Sequence, residues 1–420
     1  MRADEPAKQT LTFESAIQLA LGRNPDIAAA KQALDSSEAK AAAARANRWV
    51  ELNVSEAMDK YKEPYILAFG ALGNFELHQF FTTATVVQLQ QPLSGLAYLS
   101  ELVSASEHQS NATMHDYDRT RLDIAYRTAD SYIRLLEARA NAEVAHKSVD
   151  DIQSELDRAK QLRQADTYTD IDVLRFQSAK AAADQTALKA DSGIQSALGG
   201  LVVQIGLPDG APVDISDDLP PTPPALAVSL EEAQRRAMQT RPELASSREQ
   251  IEAAEANATA AWERYLPDIR GVAQWNHLTG VQPFEPRDEE FIGFTATWNV
   301  WNWGATQDQY DSAKADKARA QTAAFALVDQ VKLDVRNRWL DAKTAYDSLA
   351  VAQTQQQTAE EALRLQKVRF DNAAATTTDV LDAQTDAARA RLAFATARYD
   401  YYRALVALAR SVGDLPKPGT

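Results

Sequence analysis

The 420-residue chain contains no cysteine. That excludes a disulfide framework, a thiolate metal site, a cysteine nucleophile and a lipid-bearing N-terminal cysteine. Histidine is scarce, at five residues, and the chain has no HExxH, phosphate-binding glycine loop or nucleophile elbow, so no catalytic apparatus is visible. Positive charge is in deficit: 44 Lys and Arg stand against 59 Asp and Glu, a formal net charge of −15, which argues against nucleic acid as a partner. No stretch approaches the roughly 20 apolar residues of a membrane helix, the longest uncharged apolar-rich run being Tyr65 to Phe75. A membrane β-barrel escapes that test, because each of its strands needs only about ten alternating residues. The opening MRADEPAKQT lacks the apolar core of a secretory signal. This leaves a cytoplasmic protein or a mature form with a new start methionine, and the mature form is the expectation.

What is present is a duplication. LTFESAIQLALGRNPDIAAA from Leu11 matches VSLEEAQRRAMQTRPELASS from Val228, and DIDVLRFQSAKAAA from Asp170 matches TTDVLDAQTDAARA from Thr377. The second match aligns Asp172, Val173, Leu174 and Gln177 with Asp379, Val380, Leu381 and Gln384. The division expected is a first repeat over 1–207, a proline-rich connector over 208–227, a second repeat over 228–413 and a tail over 414–420. The proline density of the connector forbids helix or central strand, so it reads as a surface segment.

Each half is expected to begin with a short helix, a break at Asn24-Pro25 or Arg241-Pro242, and a second helix, proline suiting a first helical turn. Two strands follow: Trp49 to Met58 and Phe75 to Gln91 in the first half, Asp268 to Asn276 and Phe291 to Trp303 in the second. After each strand pair comes a helix of about 65 residues, or about 100 Å, over Ser100 to Gln164 and Ala305 to Asn372, with neither proline nor internal glycine. The second of these carries a heptad seam through Val328, Val331, Val335, Ala342, Ala345, Leu349, Ala352, Ala359, Leu363 and Phe370. The last helix has two apolar stripes, one through Leu381, Ala388, Leu392 and Tyr399 and one through Ala387, Ala390, Phe394 and Tyr401, and so expects neighbours on two sides.

These duplicated helix-strand-strand-helix halves, the N-P break and the string TTTDVLDAQT at Thr376 to Thr385 resemble the TolC family of outer-membrane efflux proteins over nearly the whole chain. The resemblance implies a mainly α fold with a small transmembrane β-barrel. In a homotrimer, each subunit would give four strands to a twelve-stranded barrel, continued into the periplasm by long coiled-coil helices that form an α-barrel. It implies a passive outer-membrane exit duct for small toxic solutes or secreted polypeptides, with no cofactor, no enzymatic activity and no metal. The partners it implies are a periplasmic adaptor, an inner-membrane pump and outer-membrane lipid. The turns near Ala165 to Asp170 and Asn372 to Thr378 would then sit at the periplasmic tip, where an iris of paired helices closes the tunnel.

Asp379 and Asp382 match the family's entrance aspartates, and their i, i+3 spacing puts both on one helix face, where threefold symmetry would stack two acidic rings. Helix capping by Thr378 or Asp379 explains one acidic residue there equally well. Asp172 reads first as a cap, and the resemblance sets it near the same constriction. The chain departs from the family's best-known pattern at the lock of the iris. A tyrosine and an arginine are expected nine and four residues before the first aspartate, and the residues there are Phe370 and Ala375. Neither makes polar links, so packing, other charges or nothing specific must hold a closed state. The usual glycine of the tip turn is also missing, leaving Asn372 as the candidate for a left-handed turn residue. Trp298, Trp301 and Trp303 read as a membrane-interface aromatic belt in preference to core or a carbohydrate platform. His108 and His115 read as solvated, and Glu285 to Glu290 as an external loop. Two rivals remain: a soluble coiled-coil scaffold or adaptor whose strands form an ordinary β-domain core, and a catalytic or metal-buffering periplasmic protein.

Overall fold

The computed structural model describes residues 9–164, 169–281, 287–372 and 374–417. In chain order the elements are β1 (Gln9–Leu11), α1 (Phe13–Arg23), α2 (Pro25–Ala46), β2 (Glu51–Lys60), β3 (Tyr65–Ala68), β4 (Asn74–Pro92), α3 (Leu96–Gln164) and α4 (Asp170–Ile205). They continue with β5 (Val213–Ile215), α5 (Leu230–Thr240), α6 (Pro242–Glu263), β6 (Asp268–Val281), β7 (Asp288–Thr297), α7 (Ala305–Asp371) and α8 (Thr377–Ser411). Both proline breaks fall where expected. Thr12 and Ser229 cap α1 and α5 by accepting from the backbone amides of Ser15 and Glu232. Pro25 and Pro242 then open α2 and α6 at a position whose amide has no helical partner to lose.

The chain forms two compact units, one drawing on residues up to Lys31, Asp116–Leu244 and Ala326 onward, the other on Gln32–His115 and Ala245–Phe325. In the first, Phe13, Ala16, Ile17 and Ala20 stand at helical spacing on α1 and are buried against Tyr132, Ile133 and Leu136 of α3, Leu201 and Ile205 of α4, and Tyr402 and Val406 of α8. A smaller core joins Ala233 and Ala237 of α5 to Val331, Val335 and Ala342 of α7 and to Leu408 of α8. The heptad seam of α7 is thus real: Val331, Val335, Ala342, Ala352, Leu363 and Phe370 are buried. On α8 Ala387, Ala390, Tyr399 and Tyr401 are buried, whereas Leu392 is exposed, so that stripe is interrupted.

The proline-rich segment is not wholly on the surface. Val213 to Ile215 pairs in parallel with Gln9 to Leu11, and Val213, Ile215 and Leu219 are buried. A two-stranded sheet has only edge strands, which is where proline-flanked segments fit. Tyrosines tie the segment down: Tyr132 donates to Ser216 O, Tyr402 to Pro220 O and Tyr401 to Pro224 O.

The second unit holds an antiparallel sheet in the order β2-β4-β6-β7, with the short β3 also on β4. Its register sorts the side chains onto two faces, since directly opposed residues point the same way. Leu52, Leu89, Ala273 and Ile292 form one cross-strand row, and Val54, Val87 and Trp275 share the next with Glu290 on β7, making a mainly apolar band on that face. Asn53, Gln88 and Gln274 lie in a row of the other face, which ends at Phe291 on β7. There Gln90 donates to Gln88 (2.7 Å), Gln88 to Gln274 (2.9 Å) and Gln274 to Asn276 (2.6 Å), a ladder of uncharged amides. Every described residue of β2 and β7 is exposed, and Ile292 is 90% exposed. The sheet is therefore not the core of an ordinary β-domain.

Strand β7 ends at Thr297, six residues short of the expected Trp303. Its last partner is Asp268, and Pro267 precedes that residue, so no donor remains to carry the ladder further.

Candidate functional site

The site is the group of residues where α3 ends, α4 begins, α7 ends and α8 begins, all in the first unit. Both helix starts are capping boxes. Thr169 Oγ1 accepts from the Asp172 amide (3.4 Å), while the Asp172 carboxylate accepts from the Thr169 amide (3.1 Å) and hydroxyl (2.7 Å). Thr376 Oγ1 accepts from the Asp379 amide (3.2 Å), and Asp379 accepts from the Thr376 amide and hydroxyl, each at 2.8 Å. The cap of α8 is thus Thr376, not Thr378 or Asp379, and both aspartates occupy the third helical position, where the positive helix end favours a carboxylate. The Thr376 amide, then its hydroxyl, holds Asp379 below the usual carboxylate range. The Thr169 hydroxyl does the same for Asp172, with partial burial working against it and the Thr377 hydroxyl assisting.

Polar links join the two helix pairs. Thr377 donates to Asp172 (2.8 Å) and Arg175 to the Thr378 hydroxyl (2.9 Å). Lys367 pairs with the buried Glu155 (3.0 Å), Arg158 pairs with Asp371, and Arg391 bridges Asp151 (3.4 Å) and Glu360 (3.0 Å). Between these links Leu156, Ala159 and Phe176 form a small buried cluster, flanked by Val173 and Leu381. Phe370 is buried as the last residue of the α7 seam, and Ala375 is half-buried in the turn before the cap. Other charges and packing thus stand where the tyrosine and arginine were expected.

Asn372 does not take the left-handed conformation, since Trp303 is the sole non-glycine residue with positive φ among the described residues. Its side chain instead donates to Val368 O (2.8 Å), and the turn is drawn tight by the Ala374 amide on Arg369 O (2.8 Å). The first tip turn, from Ala165, lies mostly outside the described residues, as do Glu285 and Pro286, while Asp288 to Glu290, expected in an external loop, open β7 and pair with β6.

Asp379, Asp382 and Asp386 are exposed on one face of α8 and line an open groove with Thr354, Thr358 and Gln366 of α7. The cation among the described lining residues is Arg389, 3.5 Å from Asp386. The three carboxylates give this groove a negative surface charge, and among the described residues no group of three His, Asp or Glu could hold a metal ion. His108 is half-buried and paired to Glu249 (2.8 Å), so it is less solvated than its sequence context implies.

In the second unit Trp298, Trp301 and Trp303 are 61%, 74% and 88% exposed in the segment after β7. Trp298 Nε1 donates to Tyr265 O (3.0 Å), and Trp301 meets Trp303 edge-on at 5.8 Å.

The family model for "Outer membrane efflux protein" matches residues 16–207 and 234–414. The chain belongs to the outer membrane efflux protein family. A relative is the outer membrane efflux protein BepC of Brucella suis biovar 1 (strain 1330), 22% identical over 369 residues that cover 86% of this chain and 79% of BepC. The fold resembles that of VceC from Vibrio cholerae, with a TM-score of 0.80, 18% identity and 96% of each chain covered. It also resembles the open state of the MtrE channel of Neisseria gonorrhoeae, with a TM-score of 0.77, 18% identity, 97% of this chain and 90% of that one covered. As a member of the family the protein is a TolC-like channel component of the outer membrane; no described helix is long and apolar enough to cross a membrane.

Sequence reasoning missed Arg158, Glu155 and Arg175 as tip residues, and it missed the bond from Thr377 to Asp172. The threonine caps carried a readable signal, because T-x-x-D occurs at Thr169 to Asp172 and again at Thr376 to Asp379.

Proposed function

We propose that three copies of this chain close into a twelve-stranded barrel and work as a passive exit duct for small toxic solutes or secreted polypeptides. The single observation that carries this reading is the sheet itself. Among the described residues, strands β2 and β7 each have a neighbour on one side only, and the sheet carries apolar rows on one face and an amide ladder on the other. Open edges on such a sheet demand partners, and a ring of like copies supplies them while turning one face to lipid and the other to water. Trp298, Trp301 and Trp303 then form an aromatic belt at the lower membrane boundary.

The division into two repeats joined by a connector is kept as part of this reading. The tip of α3, α4, α7 and α8 is the gate, opened when a periplasmic adaptor and an inner-membrane pump engage it. Asp379 and Asp382 form its acidic rings, and Asp172 with Phe370 and Ala375 its constriction. The chain does no chemistry on its cargo, and the energy for transport comes from the pump.

Light scattering on the purified protein, corrected for bound detergent, tests the assembly. The expected result is a mass near three times 46.1 kDa in detergent and aggregation when detergent is withdrawn. A monomer or dimer stable in plain buffer would overturn the barrel.

A further inference from the structure

On α8, Thr377, Val380, Gln384, Ala387 and Ala390 are buried and recur at helical spacing, so they share one packed face. The polar groups bounding that face are satisfied: Thr377 donates to Asp172 at one end, and Arg391 pairs with Asp151 and Glu360 at the other. Gln384, midway between, is 3% exposed, and neither its Oε1 nor its Nε2 has a hydrogen-bond partner among the described residues. Burying an amide without partners opposes packing, whereas an apolar side chain of the same size would favour it. The duplication supplies an internal reference, because Gln177 aligns with Gln384 and is exposed on α4. The same side chain therefore weakens packing at one of the two positions.

We infer that Gln384 is a positioning residue of the gate. Its unpartnered amide keeps the first half of α8 weakly held against its neighbours, so that the helix shifts when the tip opens and the amide becomes hydrated. This rests on the reading of the tip as the gate.

The test is hydrogen exchange on the assembled protein in detergent, following the amides of 377–390, together with single-channel current. Gln384→Leu and the closer-fitting Gln384→Met are expected to slow exchange there about tenfold or more and to lower the fraction of time spent open. Gln384→Glu is expected to speed exchange, because it buries a charge at the same spot. Gln177→Leu is expected to change neither reading.

Unchanged or faster exchange in both apolar variants would overturn the inference. So would slower exchange in all three Gln384 variants, since that pattern belongs to a residue that merely fills space. Slower exchange in the apolar variants with an unaltered current would leave the packing assignment standing and overturn the reading of the tip as the gate.

Discussion

The two halves of the chain build the same corner with different forces. In each, a short helix ends against the glycine that follows the half's last helix. Gly206 (φ +79°) would place a Cβ 2.8 Å from Arg23 O, and Gly413 (φ +86°) would place one 2.9 Å from Thr240 Oγ1, so only glycine lets the chains approach so closely. At the next residue the halves part. Asn24 in the first donates to Gln204 O (2.8 Å) and accepts from the Asp26 amide (2.8 Å), a neutral corner beside a core containing Phe13, Tyr132 and Leu201. Arg241 in the second is buried and pairs with Asp334 (3.0 Å) and Glu243 (3.3 Å). Glu243 in turn pairs with Arg410 (2.9 Å), and Arg410 with Asp123 (2.6 Å). The core beside it is smaller, since α5 buries only Ala233 and Ala237. Where apolar volume is short, a charge network takes over the corner. A network ties its stability to protonation, which apolar packing does not.

The largest effect that would sharpen this contrast is at Phe13, which is 1% exposed and meets Tyr132 edge-on at 5.6 Å. Phe13→Ala is expected to lower stability by about 3–5 kcal/mol, read by thermal unfolding, and a loss below 1 kcal/mol would mean that the first corner does not depend on its core. Acid is expected to act on the other half. Burial pushes Glu243 up, but the Arg241 and Arg410 guanidiniums outweigh it and hold the carboxyl below its ordinary value of 4.5. A group depressed in the folded state contributes stability that is full above the unfolded pKa and is lost as pH falls through the folded one. Exchange protection of α5 and the start of α6 should accordingly fall as pH drops below about 4.3, while the non-titrating Asn24 corner holds. Equal loss at both corners would break the comparison.

The smallest effect is expected at the tip, where the halves differ again. Arg175 of α4 aligns with Asp382 of α8, so the repeat that links the helices carries a cation where the repeat lining the groove carries an acid. Asp379→Ala with Asp382→Ala should weaken block of single-channel current by multivalent cations, with little change in the melting temperature. Unaltered block would remove the acidic-ring assignment and leave the fold untouched.

Local pattern carried much of this molecule in its sequence. The proline breaks, the seam from Val331 to Phe370 and the extents of α3 and α7 follow from helical spacing and from residues that stop helices. What the sequence did not reveal depends on residues far apart in the chain. β1 and β5 are three residues each, paired across some two hundred positions, and no window of sequence encodes that register. Strand β7 stops before Trp298 because its partner stops at Pro267, although the alternation of Trp298 and Val300 continues unbroken. At the candidate site, Asp379 and Asp382 were legible as one helical face. That Thr376 caps α8, that Arg158 meets Asp371 and that Gln384 has no hydrogen-bond partner among the described residues are matters of packing between helices.

The two open edges of the sheet also constrain how the protein is made. A single copy presents β2 and β7 with one open edge each and an exposed, mainly apolar band at the same time, the combination that favours strand-on-strand aggregation in water. In the proposed trimer, pairing with sister chains and entry into lipid would relieve both exposures together. On that reading, biogenesis is a race between productive association and clumping.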